Sequence, residues 1–449
     1  MRTVCCLSIQ GSFAAAFESP VGHAILAQTT ETTKTTPAAA DTNPVRTFGG
    51  FVDTYDAWDI NTPRNFNRAL TASMKTFSRR ALATALLAGV VIVTAPSFTH
   101  AQAAPDTAVK VSFGGFVDAY YAYDFNRPRV IDRQYTTQPA RHNEFNVNLG
   151  FVDATLTGPR VHGRLALQTG TSVQSNYAGE PRIGSVSGPD LSRLIQEAFV
   201  GYQLTRTLWV DGGVFFSHMG MESWISRDNP VYSRSLVADY SPYYQSGARA
   251  IWTATSALTL RLDLINGWQN IAETNSAKAV GIRVDYAVSP STSLSYYNFA
   301  GDEASDSVRS ADGSHLRLFN GVGAKFAPTS RLSFLFELDE GRQRRGDALA
   351  GWSEWWGYTA VARYALTPSV AIDGRTERFD DPDQVLITTG GPNGFRANGA
   401  SLGIDVIPAP RLLWRSGVRG FDATEKVFAK RSRLSHGDGF FVTSFALTF

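Results

Sequence analysis

The sequence predicts an all-β fold, a transmembrane up-and-down antiparallel β-barrel of about 16 strands. Apolar residues alternate with polar ones at a period of two in many segments of the chain. Short and long polar connections follow one another in strict alternation, and the final segment is aromatic and amphipathic. These features are typical of strands that cross a bilayer with one face toward lipid and the other toward an enclosed lumen.

The alternating segments have the composition of strands with one apolar and one polar face. In "LTLRLDL", at residues 258–264, leucines occupy one face while Thr259, Arg261 and Asp263 occupy the other. In "RLLWRSGVR", at residues 411–419, leucine, tryptophan and valine oppose three arginines. A soluble β-sandwich would show the same alternation, so the periodicity alone does not choose between the two folds.

The connections favour the barrel. Seven short turns separate eight longer polar stretches, and these stretches lie near residues 125–142, 175–190, 218–241, 267–276, 300–313, 340–351, 380–395 and 422–437. This separation is expected if one end of the barrel carries short periplasmic turns and the other carries long extracellular loops. A closed ring also leaves no sheet edge with unpaired backbone groups in lipid.

The last segment, "FFVTSFALTF", places Phe441, Phe445, Leu447 and Phe449 on one face. Outer-membrane barrels typically close with such a strand. We therefore expect Phe449 to be the signal that the barrel assembly machinery recognises. An ordinary amphipathic edge strand is the alternative, but such a strand has no need of a terminal aromatic residue.

An export signal is predicted inside the chain, at residues 74–103. It has a basic start at Lys75, Arg79 and Arg80, an apolar run of 15 residues and a small residue, Ala103, at the cleavage point. An internal membrane anchor is the alternative, but the run is shorter than the about 20 residues that a helical span needs. We expect residues 104–449 to form the mature barrel.

Residues 1–73 carry a partial copy of the first predicted strand. The run "FGGFVDTYDAWDINTPR", at residues 48–64, returns as "FGGFVDAYYAYDFNRPR" at residues 113–129. A repeat protein needs at least about three stacked units, whereas this sequence has two copies on either side of the predicted signal. We interpret residues 1–73 as an upstream segment outside the mature protein, with Met74 as the start.

Charge and cysteine content exclude several classes of protein. Residues 1–103 hold 8 of the 42 Lys/Arg and 6 of the 40 Asp/Glu, which leaves 34 of each in the remainder. Because the remainder is formally neutral, we expect no nucleic-acid partner. Both cysteines, Cys5 and Cys6, lie in the upstream segment, so the remainder has neither a disulfide framework nor a thiolate metal site.

A series of short motifs resembles a known family. In chain order they are "FGGFVDAYYAYDFNRP", "NEFNVNLGFVDATL", "GRLALQTGT", "LIQEAFVGYQL" and "DGGVFFSHMGMES". Each motif is weak alone, but in this order they resemble the OmpL-like beta-barrel porins over roughly residues 111–449. The resemblance implies a barrel in the outer membrane of a Gram-negative bacterium, with pore activity.

No motif for catalysis or for a cofactor is apparent. The sequence lacks the Gly-Lys-Ser/Thr and His-Glu-x-x-His patterns. A barrel phospholipase would need a serine and a histidine within hydrogen-bond reach, for which His162 and His315 are the candidates. The acidic loops "GDEASD" and "FDDPD" have no regular metal-ligand spacing. We expect no enzyme activity, no cofactor and no metal.

Charged residues on the predicted inward face are the candidate pore lining. The basic ones are Arg164, Arg249, Arg261, Arg283, Arg317, Arg363, Arg375, Arg411, Arg415 and Arg419, with Lys325. The acidic ones are Asp118, Glu197, Asp263, Asp285 and Glu337, with Asp211, Asp339, Asp373, Glu377 and Asp405. A lumen of mixed sign would hold water, and 16 strands enclose an aqueous channel. The charges could instead pair with one another and stiffen the wall.

The last three arginines of this set would form a cationic ladder along one strand. The third long loop is the predicted constriction, because by analogy with general porins we expect it to fold inward. Its charged residues are Glu222, Arg227, Asp228, Arg234 and Asp239. Wall arginines opposite loop carboxylates would set a transverse field that filters solutes by size and charge.

The predicted function is passive diffusion of small hydrophilic solutes or ions through a water-filled lumen of an outer-membrane porin. One alternative is a structural or adhesive surface barrel without an open pore, and another is a barrel enzyme. The expected partners are the lipid bilayer, lipopolysaccharide, the barrel assembly machinery and the solutes. The sequence leaves solute identity, ion selectivity and formation of a homo-oligomer open.

Overall fold

A computed structural model describes residues 109–449 of the chain. The predicted export signal and the duplicated strand lie outside these residues. Strands β1 to β8 span Lys110–Asp124, Glu144–Thr157, Val161–Thr169, Ile195–Thr205, Leu208–Phe216, Tyr244–Thr253, Leu258–Ile265 and Ala279–Ser289. Strands β9 to β15 span Thr292–Asp302, Leu316–Phe326, Leu332–Arg344, Trp352–Thr367, Val370–Asp381, Phe395–Ala409 and Leu412–Ala423.

Three further strands, β16 to β18, lie near the end of the chain. A hairpin of β16, Phe428–Lys430, and β17, Arg433–Ser435, lies in the last long loop, and β18 spans Gly437–Thr448. Strands β1 to β15 and β18 form one closed antiparallel barrel, in which β18 pairs with both β15 and β1. The predicted 16-strand up-and-down barrel is therefore confirmed.

Alternating burial shows which face of each strand is enclosed. In β10, Arg317, Phe319 and Gly321 are buried, whereas Asn320 and Val322 between and beyond them are exposed. The same alternation runs through β11 to β15. Because the exposed positions are mostly Val, Leu, Ile and Phe, the outer face is apolar, as lipid requires.

Turns and loops segregate to opposite ends of the barrel. The seven connections on the turn side are short, such as the two residues between β8 and β9. The eight on the loop side comprise residues 125–143, 170–194, 217–243, 266–278, 303–315, 345–351, 382–394 and 424–436, and we number them loops 1 to 8. The predicted alternation of short and long connections is thus confirmed in order and position.

Helices occur only in the loops of the described part. They are α1, Thr171–Asn176, and α2, Pro189–Ser192, in loop 2, α3, Leu236–Asp239, in loop 3, and α4, Asp306–Asp312, in loop 5. Loop 3 also contains a 3₁₀ turn at Ser226–Asp228. Within residues 109–449, no helix is long and apolar enough to cross a membrane.

The barrel closes at a seam between its first and last strands. Nine residue pairs align β1 with β18, from Phe116 opposite Thr448 to Asp124 opposite Phe440. Phe449 extends the seam, since its backbone N–H donates to Gly115 and its carbonyl accepts from Gly115, both at 3.1 Å. A side chain at position 115 would overlap the Phe449 ring, so a larger residue there would require this ring to move.

Candidate permeation site

The barrel wall presents most of the predicted charged residues to the lumen. They lie on the enclosed face of their strands, in alternation with exposed apolar residues. On β1 to β8 these are Asp118, Glu197, Arg164, Arg249, Arg261, Asp263, Arg283 and Asp285. On β10 to β15 they are Arg317, Glu337, Arg363, Arg375, Arg415 and Arg419. The phase of the strands was therefore predicted correctly from the apolar face.

Arg411 departs from this set. It lies in the tight turn that ends at Leu412, is exposed, and has a positive φ of 67°. A two-residue hairpin turn demands such a backbone conformation, whereas the sequence analysis read residues 411–419 as one continuous strand. The predicted cationic ladder is wrong at Arg411, and only Arg415 and Arg419 remain on the wall.

Loop 3 lies inside the barrel. Its backbone or side chains bond to many strands of the wall. Among them are β1, through Ser226 to Asp118 at 2.7 Å, β8 through Arg283, β11 through Glu337, β13 through Arg375 and Glu377, and β15 through Arg415. Most of the loop is buried from Val231 to Asp239. The inward fold expected by analogy is thus present in the structure.

Arg415 anchors the first part of the loop. Its guanidinium donates to the backbone carbonyls of Ser226, Asn229 and Pro230 at 2.7, 2.9 and 2.9 Å. It also makes two hydrogen bonds of 2.8 and 3.0 Å to Asp405. Because the guanidinium presents five donors in a fixed fork, one side chain can hold three carbonyls and a carboxylate together.

A second anchor holds the helical part of the loop. Glu377 accepts from the backbone N–H of Leu236 at 2.7 Å, which satisfies a donor at the start of α3. Arg375 donates to the carbonyl and hydroxyl oxygens of Ser233 at 2.6 and 3.0 Å. Two buried wall residues therefore hold Ser233 and the start of α3, which follows it.

The charges of the loop itself are mostly engaged within the protein. Glu222 accepts from the backbone N–H of Ser235 at 2.9 Å. Burial raises the pKa of Asp228. Arg234 stacks on Tyr243, 3.2 Å from the ring centre, and burial lowers its pKa to about 10.

Asp239 accepts from Thr137 at 2.5 Å and from Tyr243 at 3.0 Å, and burial raises its pKa to about 6. Arg227 differs from the other four charged residues because it is exposed, and it bonds to Thr448 at the turn end of β18. It is therefore the charged residue of loop 3 that faces solvent most directly.

Aromatic side chains line the loop-side half of the lumen, which no pattern in the sequence predicted. The Trp268 ring packs edge-on against Phe299 and Phe319, each at 5.1 Å between centroids. Phe421 and Phe428 form a second group at 5.6 Å with Tyr135 beside it. Aromatic side chains therefore narrow the lumen at this end.

The turn-side half of the lumen is polar and reaches solvent. Arg283 donates to the carbonyls of His218 and Gly220 at 2.8 and 2.9 Å and pairs with Asp285 at 2.8 Å. The Asp285 side chain is 42% exposed. Arg363 of the same half pairs with Asp405. Many wall charges are thus ion-paired, as expected of residues that stiffen the wall, and their role in lining a pore stays a prediction.

A cleft separates the extended part of loop 3 from the wall of β13 to β15. It is a small cavity of about 10 Å³ between Val231–Ser233 and the wall residues Asp373, Ser401 and Arg415, which is room for about one water molecule. The Asp373 Oδ1 and Ser401 Oγ atoms are buried there without a protein partner. Buried polar atoms need a hydrogen-bond partner, so this cleft is suited to hold water.

A family model described as "Putative beta-barrel porin-2, OmpL-like" matches residues 110–449. The chain belongs to this family, and it is an outer-membrane porin, a channel rather than an enzyme. The family suggested by the short motifs is therefore confirmed. No curated protein matches the chain.

Solved structures of outer-membrane channels are similar in fold. The channel DcaP of Acinetobacter baumannii is 12% identical with a TM-score of 0.51, over 76% of this chain and 97% of that one. OmpT of Vibrio cholerae, in a trimer form, is 8% identical with a TM-score of 0.50, over 76% and 100%. An anion-selective porin from Comamonas acidovorans is 12% identical with a TM-score of 0.48, over 76% and 100%. At these identities the likeness concerns the fold alone.

No group of three or more His, Cys, Asp or Glu in the described part of the chain has a geometry that could hold a metal ion. His162 bonds to Asp211 at 2.6 Å and stacks on Trp209 at 4.2 Å, so its contacts are to wall residues of β5. His315 lies beside Asp312 at 3.3 Å in loop 5.

Proposed function

We propose that the protein passes small hydrophilic solutes or ions by passive diffusion and that loop 3 sets the size limit. The observation that carries the proposal is that loop 3 folds into the lumen, where Arg375, Glu377 and Arg415 of the wall hold it. On the turn side the loop carries the exposed Arg227, and Arg283, which bonds to the carbonyl of Gly220, pairs with the partly exposed Asp285. Because the loop-side half is narrowed by aromatic side chains, the passage admits only small solutes.

Single-channel recording in planar bilayers tests this function. The purified full-length mature barrel is recorded with a panel of inorganic ions, then with sugars of increasing size added to one side. The proposal expects small, stable conductance steps and exclusion of the larger sugars. Absence of any conductance from protein that is folded by semi-native electrophoresis would reject it.

A structural or adhesive barrel is the second candidate. The aromatic packing on the loop side supports it, since Tyr135 of loop 1, Ile387 of loop 7 and Phe428 of loop 8 join one buried cluster. If this aromatic packing were permanent, it would close the loop-side mouth of the barrel. Folded protein without conductance, together with surface exposure of loops 1 and 8 to antibodies on intact cells, would favour this candidate.

Recognition of Phe449 by the barrel assembly machinery is part of the proposal. The Phe449 side chain is half exposed while its backbone completes the seam at Gly115. Replacing Phe449 by alanine is expected to lower the amount of folded barrel in the outer membrane, with unchanged conductance of the molecules that do assemble. Lipopolysaccharide as a lipid neighbour and assembly into a homo-oligomer are further proposals, tested by native mass spectrometry.

Processing of the amino-terminal region is also proposed. Residues 74–103 have the layout of an export signal, so cleavage is expected between Gln102 and Ala104. Mass spectrometry of the protein extracted from outer membranes should then find no peptide from residues 1–73. Detection of "TFGGFVDTYDAWDINTPR" in that protein would give the upstream segment a role.

A further inference from the structure

A basic surface occurs at the extracellular end of the seam, where loops 1 and 8 meet. It comprises Arg127, Arg129, Lys430, Arg431 and Arg433, of which all but the lysine are fully exposed. Among residues 109–449, no carboxylate lies within 4.0 Å of any of these five cationic groups. Five unpaired positive charges on one small surface repel one another, so an anionic partner would stabilise it.

Hydrogen bonds between the two loops keep this basic surface together. The backbone N–H of Arg431 donates to the carbonyl of Asn126 at 3.2 Å, and the Asn126 amide donates to the carbonyl of Gly437 at 2.7 Å. The backbone N–H of Ala429 donates to Gln134 at 3.1 Å. The hairpin of β16 and β17 is thereby held against loop 1, and the charges of both loops form one surface.

The backbone at two of these arginines favours a role for their side chains. Arg127 and Arg431 both have a positive φ of 52°. Glycine and asparagine adopt this conformation at lower cost than a long side chain does. The backbone conformation therefore does not explain an arginine at either position. A contact made by the guanidinium group would explain it.

Other arginines nearby are paired, which distinguishes them from the basic surface. Arg133 of loop 1 is buried between Asp124 and Asp438, at 3.5 and 3.4 Å. Arg141 pairs with Asp132 at 2.6 Å. The exposed Asp422, on the outer face of β15, has no ion pair within 4.0 Å among the described residues.

Aromatic residues place the basic surface at the membrane boundary. The tilted rings of Tyr121 and Phe145 pack together at 4.7 Å between centroids on the outer face of β1 and β2, and the Tyr123 ring lies 6.1 Å from that of Phe125. Phe125 is 58% exposed, and Arg127 follows it by two residues. Aromatic girdles mark the lipid–water interface of barrels. The basic side chains therefore begin at the level of the lipid headgroups.

Exposed apolar residues alternate with the basic ones. Val130 and Ile131 follow Arg129, and Leu434 follows Arg433, and all three are exposed. A mixture of basic and apolar side chains is typical of segments that lie at a membrane surface. A soluble anionic protein partner would match the charges but not this apolar part.

We propose that loops 1 and 8 bind the phosphate groups of outer-leaflet lipid headgroups at this basic surface. Each arginine can donate two hydrogen bonds to a phosphate, while Phe125, Val130 and Leu434 contact the upper acyl region. This inference rests on the outer-membrane location and not on the pore, so loss of lipid binding with normal conductance would leave the proposed transport function intact.

The test compares two sets of four substitutions with equal loss of charge. The first changes Arg127, Arg129, Arg431 and Arg433 to glutamine. The second changes four arginines in or next to the loops that have carboxylate partners, namely Arg182, Arg193, Arg344 and Arg345. Both are reconstituted in phosphatidylcholine nanodiscs with and without phosphatidylglycerol or a phosphorylated lipid A, and retained lipid is counted by native mass spectrometry. Heat-shifted migration on gels and single-channel conductance verify the fold.

The wild type and the second set are expected to retain phosphorylated lipid, and the first set is expected to lose it. Removing one basic side chain near an anionic surface weakens binding about fivefold, so the first set should lose retention by at least about a hundredfold. Equal retention by both sets, or equal loss, would overturn the proposal. Displacement of the lipid by millimolar inorganic phosphate would also overturn it, because the site would then bind free phosphate.

Discussion

Arg419 and Glu377 form a buried ion pair in the lumen wall, with two hydrogen bonds of 2.8 Å from the guanidinium to the carboxylate. The same carboxylate accepts from Leu236 in loop 3 and lies 3.3 Å from Arg375. One side chain thus joins two wall strands to the loop. Removing it would leave two buried arginines without a counter-charge.

Replacing Glu377 by alanine should release the helical part of loop 3. Breaking a buried ion pair by removing one partner costs about 3–5 kcal/mol, more than enough to favour the released loop. We expect larger and noisier single-channel conductance, measured in planar bilayers. Glu340→Ala is the control, because Glu340 lies on the exposed face of β11. Identical recordings from the Glu377 variant and the control would show that loop 3 does not depend on this anchor.

Neutralising Arg227 should shift the reversal potential toward cation selectivity. Arg227 is the exposed charge of loop 3, and it bonds to Thr448 without anchoring the loop to a buried carboxylate. Arg227→Gln therefore removes a positive charge from the turn-side mouth without releasing the loop. Arg411→Gln is the matched control, since Arg411 is exposed in a turn outside the lumen. A shift produced by Arg411→Gln instead would place the selectivity of the pore at the turns.

Conductance should fall as the pH is lowered through about 6. Burial raises the pKa of Asp239 to about 6, against the opposing effect of Arg234 and Arg419, whereas a solvated aspartate titrates near about 3.9. The docked loop therefore binds the proton more tightly than the released loop, so docking strengthens as the pH falls from about 6 to about 4 and keeps the full gain below that. Above this range the charged carboxylate weakens docking.

Asp239→Asn should abolish that pH dependence and keep the low-conductance state at neutral pH. The measurement is a conductance titration of both proteins between about pH 4 and pH 8. Asp306→Asn, a change to an exposed aspartate of loop 5, serves as the control. A titration curve of the Asp239 variant that still bends near pH 6 would assign the proton to another group.

Arginine at position 402 should impair insertion. Leu402 is 67% exposed on the outer face of β14, with Gly374 and Val418 as its neighbours on the adjacent strands. An arginine facing lipid near the midplane costs roughly 2–4 kcal/mol. The folded fraction, measured by semi-native gel electrophoresis after refolding into vesicles, should drop for Leu402→Arg. Leu349→Arg should not change it, because Leu349 is 76% exposed but lies in loop 6.

Strand order, turn positions and the inward phase of Arg415 and Arg419 were all predictable from sequence. They follow from a period of two and from the length of each connection, which are local properties. Arg411 was misplaced because a tight turn of "APRL" and a continued strand have the same composition. The role of these side chains in lining a pore stays a prediction.

The aromatic filling of the loop-side lumen was not predictable in the same way. The inward phase of Phe299 and Phe319 is visible in the sequence, but Trp268 reaches them from loop 4, and Phe428 of loop 8 packs against Phe421. How far a loop folds back into a barrel depends on contacts between distant segments, for which no periodicity exists. The anchoring of loop 3 by Arg415 was hidden for the same reason, because three of its acceptors are backbone carbonyls.

Closure at the seam sets the order in which this chain can fold. Every other pair of neighbouring strands is a hairpin of adjacent segments, except for β15 and β18 with their small inserted hairpin. Across the seam, by contrast, Asn126 and Gly437 are bonded at a separation of 311 residues. Local contacts form early and distant ones late, because a large loop must lose more entropy before its ends meet. Until β18 pairs with β1, the backbone N–H and C=O groups at both sheet edges stay unpaired and can pair with another chain. The time between synthesis and closure is therefore the interval in which chaperones must protect this polypeptide from aggregation.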